Sequence, residues 1–419
     1  MDYKELKSQL DICINKEGDF YQEVQRKICD FPEKIKELAK PALLSQPIVK
    51  VLNQLEFYSA SEGGRFIKTG TGGYGFHPSI VAERLVSKAL ENNSSQSAID
   101  WFNKVINTKS ANGYFVVLLW GVNINESIDL YDGIKLVPLS ELPSSKNNDW
   151  ACEDINWGPR EIYSTWLGKP ECALVKKVTV EPVIYHISNG DSFEKKKNLM
   201  DYLTLEKEIG LVLSIIGPSP LMEAMNWFNY EDEELDYAQF YGSRAWHHYE
   251  IMPSMLLKFG QFKPEIAKEV VSAFYEISDQ KTKKRIVNSI TRLNQAMRRA
   301  DAGNSAVELS IALECLFASG NGGYAHKIGL RIAFLIGENF DHKKRMKAII
   351  SSIYNVRSAV VHNGEASSPI KINGYNEKLS LEDLIKEGCE ICAKAISKII
   401  LMKSLPNWDE FELSGGKID

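Results

Sequence analysis

The sequence predicts an α+β protein, in which an N-terminal mixed helical and β-rich region is followed by an all-α helical bundle. Apolar residues recur at helical spacing over residues 1–60 and again over 78–107. Short runs rich in Val and aromatic side chains, each of strand length, follow between 114 and 187. From Pro264 onward the helical period returns with short connections, which is typical of an antiparallel bundle.

Composition is typical of soluble globular proteins. The 419 residues are 44% apolar and 25% charged. No apolar run approaches the roughly 20 residues of a membrane span. The N-terminus lacks the layout of a secretory signal. Seven scattered cysteines favour reduced thiols over a disulfide framework. We expect a cytoplasmic protein without membrane contact. Its predicted parts are a helical N-terminal region, an α+β middle region that can form one domain with it, and a helical bundle: 1–110, 111–262 and 263–405.

A glycine-rich segment at 63–75 interrupts the N-terminal helices. Gly70, Gly72 and Gly75 match the spacing of a dinucleotide-binding loop, but a helical stretch beginning at Pro78 follows where such a loop needs a βαβ unit. A glycine-rich loop or hairpin is therefore favoured. A small-ligand sensor centred on this segment, with the helical domain serving for dimerisation, stays open as a lower alternative.

The middle region shows strand patterns. Tyr114–Trp120 is a continuous apolar run, and Asp132-Gly133 separates two short apolar stretches in the manner of a hairpin turn. A further extended segment is predicted over 172–187, and a helix over 192–216.

Six helices are predicted after residue 262. Gly320–Gly323 and Asn363-Gly364 fit the ends of the third and fifth helices, and Ser380 with Asp383 fits the capped start of the last. The predicted helices lie near 264–278, 281–300, 304–318, 324–338, 343–362 and 380–403.

Charge is distributed unevenly along the chain. The whole sequence has a formal net charge of -5, whereas residues 281–347 hold 13 Lys and Arg against 5 Asp and Glu. A basic face on an acidic protein fits RNA contact limited to that face, and ordinary solvated helix surfaces explain it about equally well. The candidates for RNA contact are the clustered cations Lys283, Lys284, Arg285, Lys343, Lys344 and Arg345.

The run Tyr354–Gly364 carries the pattern most indicative of chemistry. Arg357 precedes His362 by five residues at the end of an apolar helical segment. A guanidinium matches a phosphate and can stabilise charge that develops on it, and an imidazole exchanges protons near neutral pH. RNA supplies its own nucleophile, the 2′-hydroxyl, so this pair can support RNA cleavage with no metal or other cofactor.

Helix geometry separates these two side chains. At about 100° per residue, positions five apart on one helix point roughly 140° away from each other. One resolution ends the helix at about His362, because Asn363-Gly364 is a stop signal, so that the imidazole can turn back. The other resolution completes the site across a homodimer. Both stay open on the sequence.

Four ordered blocks surround the motif, and on them residues 281–366 resemble the ApeA-like branch of HEPN domains. More loosely, 118–122 with 133–136 is similar to the β-rich region that precedes this domain in such proteins. The four blocks are Arg285–Arg299, Ser310–Phe317, Gly329–Leu335, and Tyr354–Ser358 followed by Val361–Gly364.

The resemblance implies a metal-independent endoribonuclease in a prokaryotic antiphage or toxin system, which halts growth by destroying cellular RNA. The implied partners are the RNA substrate, a second copy of the chain, and a phage-derived trigger or an antitoxin. The N-terminal region would sense the trigger or regulate the nuclease. The implied catalytic pair is Arg357 and His362, and the implied supporting residues are Ser358, Asn363, Glu314 and Arg331.

The roles of three of the implied supporting residues stay open. Ser358 stands where many HEPN proteins have Asn, Asp or His, so the resemblance does not fix its role. Polar contacts within the bundle explain Glu314 and Arg331 at least as well as a function in the site. A HEPN domain can also be a non-catalytic scaffold that binds RNA or a partner protein.

Several other motifs favour structural roles. Cys389 and Cys392 lie in a helical pattern without a second pair, so buried thiols are expected there instead of a metal site. His247-His248 lacks ligand spacing, because neighbours on a strand point to opposite faces. Trp227 and Trp246 are expected in the core.

Overall fold

The computed structural model describes the chain in ten stretches. They are residues 3–15, 41–42, 44–59, 64–69, 72–153, 169–187, 197–239, 245–246, 262–319 and 323–417. Within them the chain is α+β, with a mixed helical and β region first and helices after residue 262, which confirms the predicted class.

Eight helices and nine strands precede residue 262 in these stretches. The helices are α1 (Lys4–Asn15), α2 (Gln46–Gln54), α3 (Glu56–Ser59), α4 (Pro78–Glu91), α5 (Ser95–Asn107), α6 (Lys146–Cys152), α7 (Lys197–Leu213) and α8 (Glu233–Ala238). The strands are β1 (Gly64–Thr69), β2 (Gly72–Gly75), β3 (Ala111–Trp120), β4 (Ile128–Tyr131), β5 (Ile134–Pro138), β6 (Cys172–Val180), β7 (Ile184–Ile187), β8 (Met222–Tyr230) and β9 (Ala245–Trp246).

The described chain divides into two compact units. The first comprises 1–115, 177–203 and 227–243, and the second comprises 116–176, 204–226 and 244–419. This division differs from the three predicted segments, because much of the middle region groups with the C-terminal helices. Contacts between residues distant in sequence decide such grouping, and no local pattern reports them.

A six-stranded sheet has the order β4-β5-β6-β3-β8-β9. Its β4–β5 hairpin turns through Asp132 and Gly133, with φ values of 49° and 75°. Positive φ at both central residues is the signature of a type I′ turn, so the hairpin prediction is confirmed. The Val- and aromatic-rich run of β3 is buried from Phe115 to Leu119, as expected of a central strand.

A smaller sheet of order β2-β1-β7 belongs to the first unit. Its strands are antiparallel, with Ile67 opposite both Tyr74 and Ile184. The glycine-rich segment is therefore a hairpin of β1 and β2, one of the two predicted forms. Gly70 lies outside the described residues.

Six long helices follow residue 262 in the second unit. Their observed ends fall within three residues of the predicted ones. They are α9 (Pro264–Tyr275), α10 (Gln280–Arg298), α11 (Ala302–Phe317), α12 (Tyr324–Ile336), α13 (Phe340–Asn363) and α14 (Leu381–Met402).

The core of this bundle forms where α11, α13 and α14 approach closely. A Cβ atom on Gly388 would press on the side-chain ends of Ile353 and Leu309, so glycine lets α14 approach both closely. Leu309, Ile353, Cys389 and Cys392 are fully shielded from solvent. The expectation that the two cysteines are buried thiols is confirmed.

Three short elements depart from the predicted pure helix bundle. A ladder of β10 (Ile370–Lys371) and β11 (Lys378–Leu379) lies between α13 and α14, and α15 (Trp408–Leu413) extends the fold past the predicted end at 405. Each is too short to produce a sequence period. Trp408 and Phe411 of α15 are nonetheless buried.

No helix in the described stretches is both long enough and apolar enough to cross a bilayer.

Candidate functional site

The Arg357–His362 motif lies on one continuous helix, α13. The helix begins at Asn339, whose side chain accepts a hydrogen bond from the His342 N–H at 2.9 Å. It ends at Gly364, which has a φ of 83° and donates its N–H to the Val360 carbonyl at 2.9 Å. This left-handed glycine cap places His362 in the last helical turn. The helix end predicted at about His362 therefore lies one residue further on.

Arg357 is held by a carboxylate from α11. Its Nη1 lies 3.2 Å from Glu314 Oε1, and the same oxygen accepts a hydrogen bond from the Tyr354 hydroxyl at 3.2 Å. The guanidinium carbon lies 5.8 Å from the centroid of the Tyr354 ring. Tyr354 and Arg357 are three residues apart, so they share one face of α13. We call Arg357, Glu314 and Tyr354 the arginine cluster.

The environment keeps the Tyr354 hydroxyl protonated. Burial of the ring raises its pKa, and the negative charge of Glu314 raises it further. A protonated phenol can only donate to the carboxylate, so it fixes the orientation of Glu314. Glu314 in turn fixes one side of the Arg357 guanidinium.

Arg357 still has donors to offer a ligand. Its side chain is 36% exposed, and that of Glu314 is 26% exposed. A guanidinium carries five N–H donors in a rigid fork, and the described contacts occupy only part of it. The exposed part can therefore engage a phosphate while Glu314 holds the rest.

His362 stands apart from the arginine cluster. It is exposed, and it makes no hydrogen bond or ion pair with any described residue. The continuous helix turns it roughly 140° from Arg357. No described contact joins the His362 ring to the arginine cluster, so an imidazole turned back at the helix end stays a prediction.

The remaining polar residues of the motif lie on the outside of the helix. Ser358 and Asn363 are exposed. Ser358 and His362 are four residues apart, so they share a face of α13. Val361 is 60% exposed, so the surface at this end of α13 includes one apolar side chain. The end of α13 thus presents Arg357, Val361, Ser358 and His362 in succession around an open surface.

Arg331 lies in a different place from the arginine cluster. It is completely buried on α12, donates to Glu412 Oε1 at 2.5 Å and to the Phe317 carbonyl, and lies 5.4 Å from the Trp408 ring centroid. These contacts attach α15 to the bundle. Its burial fits the alternative explanation, a polar contact within the bundle, and not direct contact with RNA.

The six predicted RNA-binding cations do not form one free patch. Arg285 donates to the Cys315 and Leu316 carbonyls at 2.7 and 3.1 Å. Arg345 pairs with Glu377 and with Glu387, the latter at 2.8 Å.

The four lysines of the set are less constrained. Lys283 lies 3.5 Å from Glu208 and over the Phe274 and Tyr275 rings. Lys343 and Lys344 each lie 5.5 Å from an aromatic centroid, those of Phe334 and Tyr375. Lys284 and Lys344 are the exposed members and remain the strongest candidates for RNA contact.

The glycines of the β1–β2 hairpin have a packing explanation. A Cβ atom on Gly73 would collide with the Tyr185 side chain, and one on Gly75 would lie 2.5 Å from the His77 ring. The pair is antiparallel and, in the described part of its sheet, no parallel strand adjoins it, so the dinucleotide-binding interpretation fails.

The remaining candidates from the sequence are the tryptophans, the paired histidines and a possible metal site. Trp227 is 1% exposed, in the core as expected. His247-His248 and the Trp246 side chain lie outside the described residues. Across the described ranges, no group of three or more His, Cys, Asp or Glu side chains is placed to hold a metal ion.

The sequence alone assigns no role to Tyr354, although its i, i+3 spacing from Arg357 places both on one helix face. Glu314 is implied by the family resemblance only, because nothing in its local sequence points to α13.

Comparison with known proteins adds no relative: no protein-family model, no curated protein and no solved structure matches this chain.

Proposed function

We propose that this protein is a metal-independent endoribonuclease of the HEPN type. The observation that carries the proposal is the arginine cluster, in which Glu314 and Tyr354 orient a partly exposed Arg357 near the end of α13, where His362 also lies. The oriented guanidinium can clamp a phosphate, and the exposed imidazole of His362, on another face of the same helix, can transfer protons.

The proposed reaction uses the 2′-hydroxyl of RNA as the nucleophile. An imidazole takes the proton from this hydroxyl while its oxygen attacks the adjacent phosphorus. Arg357 stabilises the negative charge that builds on the phosphate oxygens. The bond to the 5′-oxygen breaks, and that oxygen takes up a proton from an imidazolium. The products are a 2′,3′-cyclic phosphate and a 5′-hydroxyl end.

We propose that the active form is a homodimer. Arg357 and His362 of one chain diverge around α13, and the reaction benefits from one group that accepts a proton and one that donates it. A second copy set against the exposed end of α13 would bring its own Arg357 and His362 to the same place and would cover Val361. Mixing Arg357→Ala and His362→Ala protomers should then restore part of the activity that each variant lacks alone.

The biological setting follows from the resemblance. We propose a cytoplasmic protein of antiphage defence or a toxin system, in which the N-terminal region responds to a phage-derived trigger or to an antitoxin and regulates cleavage.

The test is incubation of purified protein with total RNA in the presence of EDTA. The proposal expects cleavage to persist, because neither the nucleophile nor the proton-transfer groups are metal-bound. Loss of activity in EDTA that returns on addition of a divalent metal would contradict the metal-free mechanism.

A second candidate function is a non-catalytic scaffold that binds RNA or a partner protein. The position of His362 favours it, because the side chain is exposed, contacts no polar partner within the described residues and is turned away from Arg357. A scaffold would bind RNA equally well with His362→Ala and would release no fragments.

A further inference from the structure

A groove in the second unit lies among α14, the start of α9, the end of α12 and the turn that follows α7. This open groove has a volume of about 620 Å³, within the range of small-ligand sites. None of its lining residues belongs to the arginine cluster or to the predicted RNA-binding set. The groove is therefore a separate feature of the molecule.

Three lysines line this groove. Lys394 and Lys398 are exposed and lie one turn apart on α14, and Lys263 precedes the first residue of α9. Like charges at i and i+4 on a helix repel each other, and an anion bound between Lys394 and Lys398 would relieve this repulsion. In the stretches that the structure describes, none of the three ammonium groups makes an ion pair or a hydrogen bond.

Two carboxylates complete the charged lining. They belong to Glu338, just after α12, and Glu390, on α14 one turn before Lys394. Neither carboxylate pairs with a described cation. The lining thus has a formal charge of +1 with both signs free, which suits a ligand that presents a strong anion at one end and hydrogen-bond donors at the other.

The wall between these charges is aliphatic. Ile215, Ile266, Leu335 and Leu401 line the groove, and Leu401 is 38% exposed although it is large and apolar. A flat ring can cover such a surface and remove it from water.

We propose that this groove binds a mononucleotide. The phosphate pairs with Lys394, Lys398 and Lys263, the ribose hydroxyls or base amino group donate to Glu338 or Glu390, and the base lies on the aliphatic wall. A lone phosphate would leave that wall in water, and a nucleoside would leave the lysines unpaired.

The experiment is calorimetric titration of the full chain with AMP, adenosine and inorganic phosphate. AMP should bind saturably and more tightly than either of the other two. A double variant, Lys394→Ala with Lys398→Ala, should weaken AMP binding by about a hundredfold, at roughly tenfold for each charged contact. Lys386→Ala, an exposed lysine of the same helix outside the groove, should leave it unchanged.

A second variant tests the aliphatic wall. Leu401→Glu places a carboxylate beside the bound base and phosphate, so AMP binding should be lost. Because Leu401 is already partly exposed, the melting temperature should stay close to that of the parent. Absence of saturable AMP binding at millimolar concentration would overturn the proposal. Equal affinity for AMP and phosphate, or an unchanged affinity in the double lysine variant, would do the same.

Discussion

The Arg357 guanidinium and the Glu314 carboxylate form an ion pair between α13 and α11, with 3.2 Å between Nη1 and Oε1. The Tyr354 hydroxyl donates to the same oxygen, so a neutral donor and a charged donor share one acceptor. The carboxylate thereby sets the direction of the guanidinium. In the proposed nuclease this orientation is what prepares Arg357 to receive a phosphate.

Replacing Glu314 by Gln tests that orientation. The amide keeps the size of the side chain but removes its charge, so Arg357 should lose its fixed direction and RNA cleavage should fall by roughly tenfold. Because both side chains reach solvent, the free energy of unfolding should change by less than about 1 kcal/mol. Single-turnover cleavage and urea unfolding measure the two effects.

Tyr354→Phe is the matched control for this variant. It keeps the ring beside Arg357 and removes only the hydroxyl, so its effect on cleavage should be smaller than that of Glu314→Gln. Cleavage by Glu314→Gln at the parental rate would show that the ion pair does not prepare Arg357.

Glu206 on α7 predicts an unusual pH dependence of stability. Glu206 is 1% exposed, neither of its carboxyl oxygens has a hydrogen-bond partner among the described residues, and burial raises its pKa well above the ordinary value of 4.5. The nearby charge of Glu223 raises this pKa further, whereas Lys176 lowers it. The contribution of Glu206 to stability is therefore fully present below about pH 4.5 and is lost as pH rises through the folded-state pKa.

Glu206→Gln removes this titration. The variant should gain free energy of unfolding relative to the parent as pH rises, by up to about 1.4 kcal/mol per pH unit until the folded-state pKa is reached. Urea unfolding of both proteins between about pH 5 and about pH 8 measures the difference. A difference that stays constant over this range would exclude a raised pKa at Glu206.

Arg331 should prove to be a structural residue. Arg331→Lys keeps the positive charge but cannot reach Glu412 and the Phe317 carbonyl together, so the variant should lose roughly 3–5 kcal/mol of unfolding free energy. Glu412→Gln, at a side chain that is 24% exposed, should cost less. A stable Arg331→Lys variant with impaired RNA cleavage would instead assign Arg331 to the site.

If residues 281–347 bind RNA, the exposed Lys284 and Lys344 should carry that contact. Lys284→Ala should weaken binding of single-stranded RNA and reduce the slope of log affinity against log salt by about 0.7, the contribution of one released counterion. Lys371→Ala, an exposed lysine on β10, serves as the control. Identical salt slopes for Lys284→Ala and the parent would remove Lys284 from the RNA surface.

Local signals in the sequence were sufficient for most of the C-terminal helices. Asn363-Gly364 marks the end of α13 because only glycine adopts the left-handed cap readily, and Asp132-Gly133 marks a hairpin for a similar reason. These features depend on a few neighbouring residues, so a single sequence contains them.

Relationships between distant segments were not predictable in the same way. The order of the six-stranded sheet and the grouping of 116–176 with the C-terminal helices depend on long-range packing. The divergence of Arg357 and His362 follows from helix geometry alone. The burial of Arg331 depends on the packing of α15 against α12, which no local pattern reports. Helix α15 is too short for its period to be recognised.

The most direct test of the central claim is a map of RNA ends after incubation with the parent protein, Arg357→Ala and His362→Ala in EDTA. The parent should leave 2′,3′-cyclic phosphate or 3′-phosphate ends opposite 5′-hydroxyl ends, and both variants should lose these products while keeping the parental melting temperature. Unchanged cleavage by His362→Ala would contradict the proposed nuclease. So would the absence of new RNA ends after incubation with the parent protein.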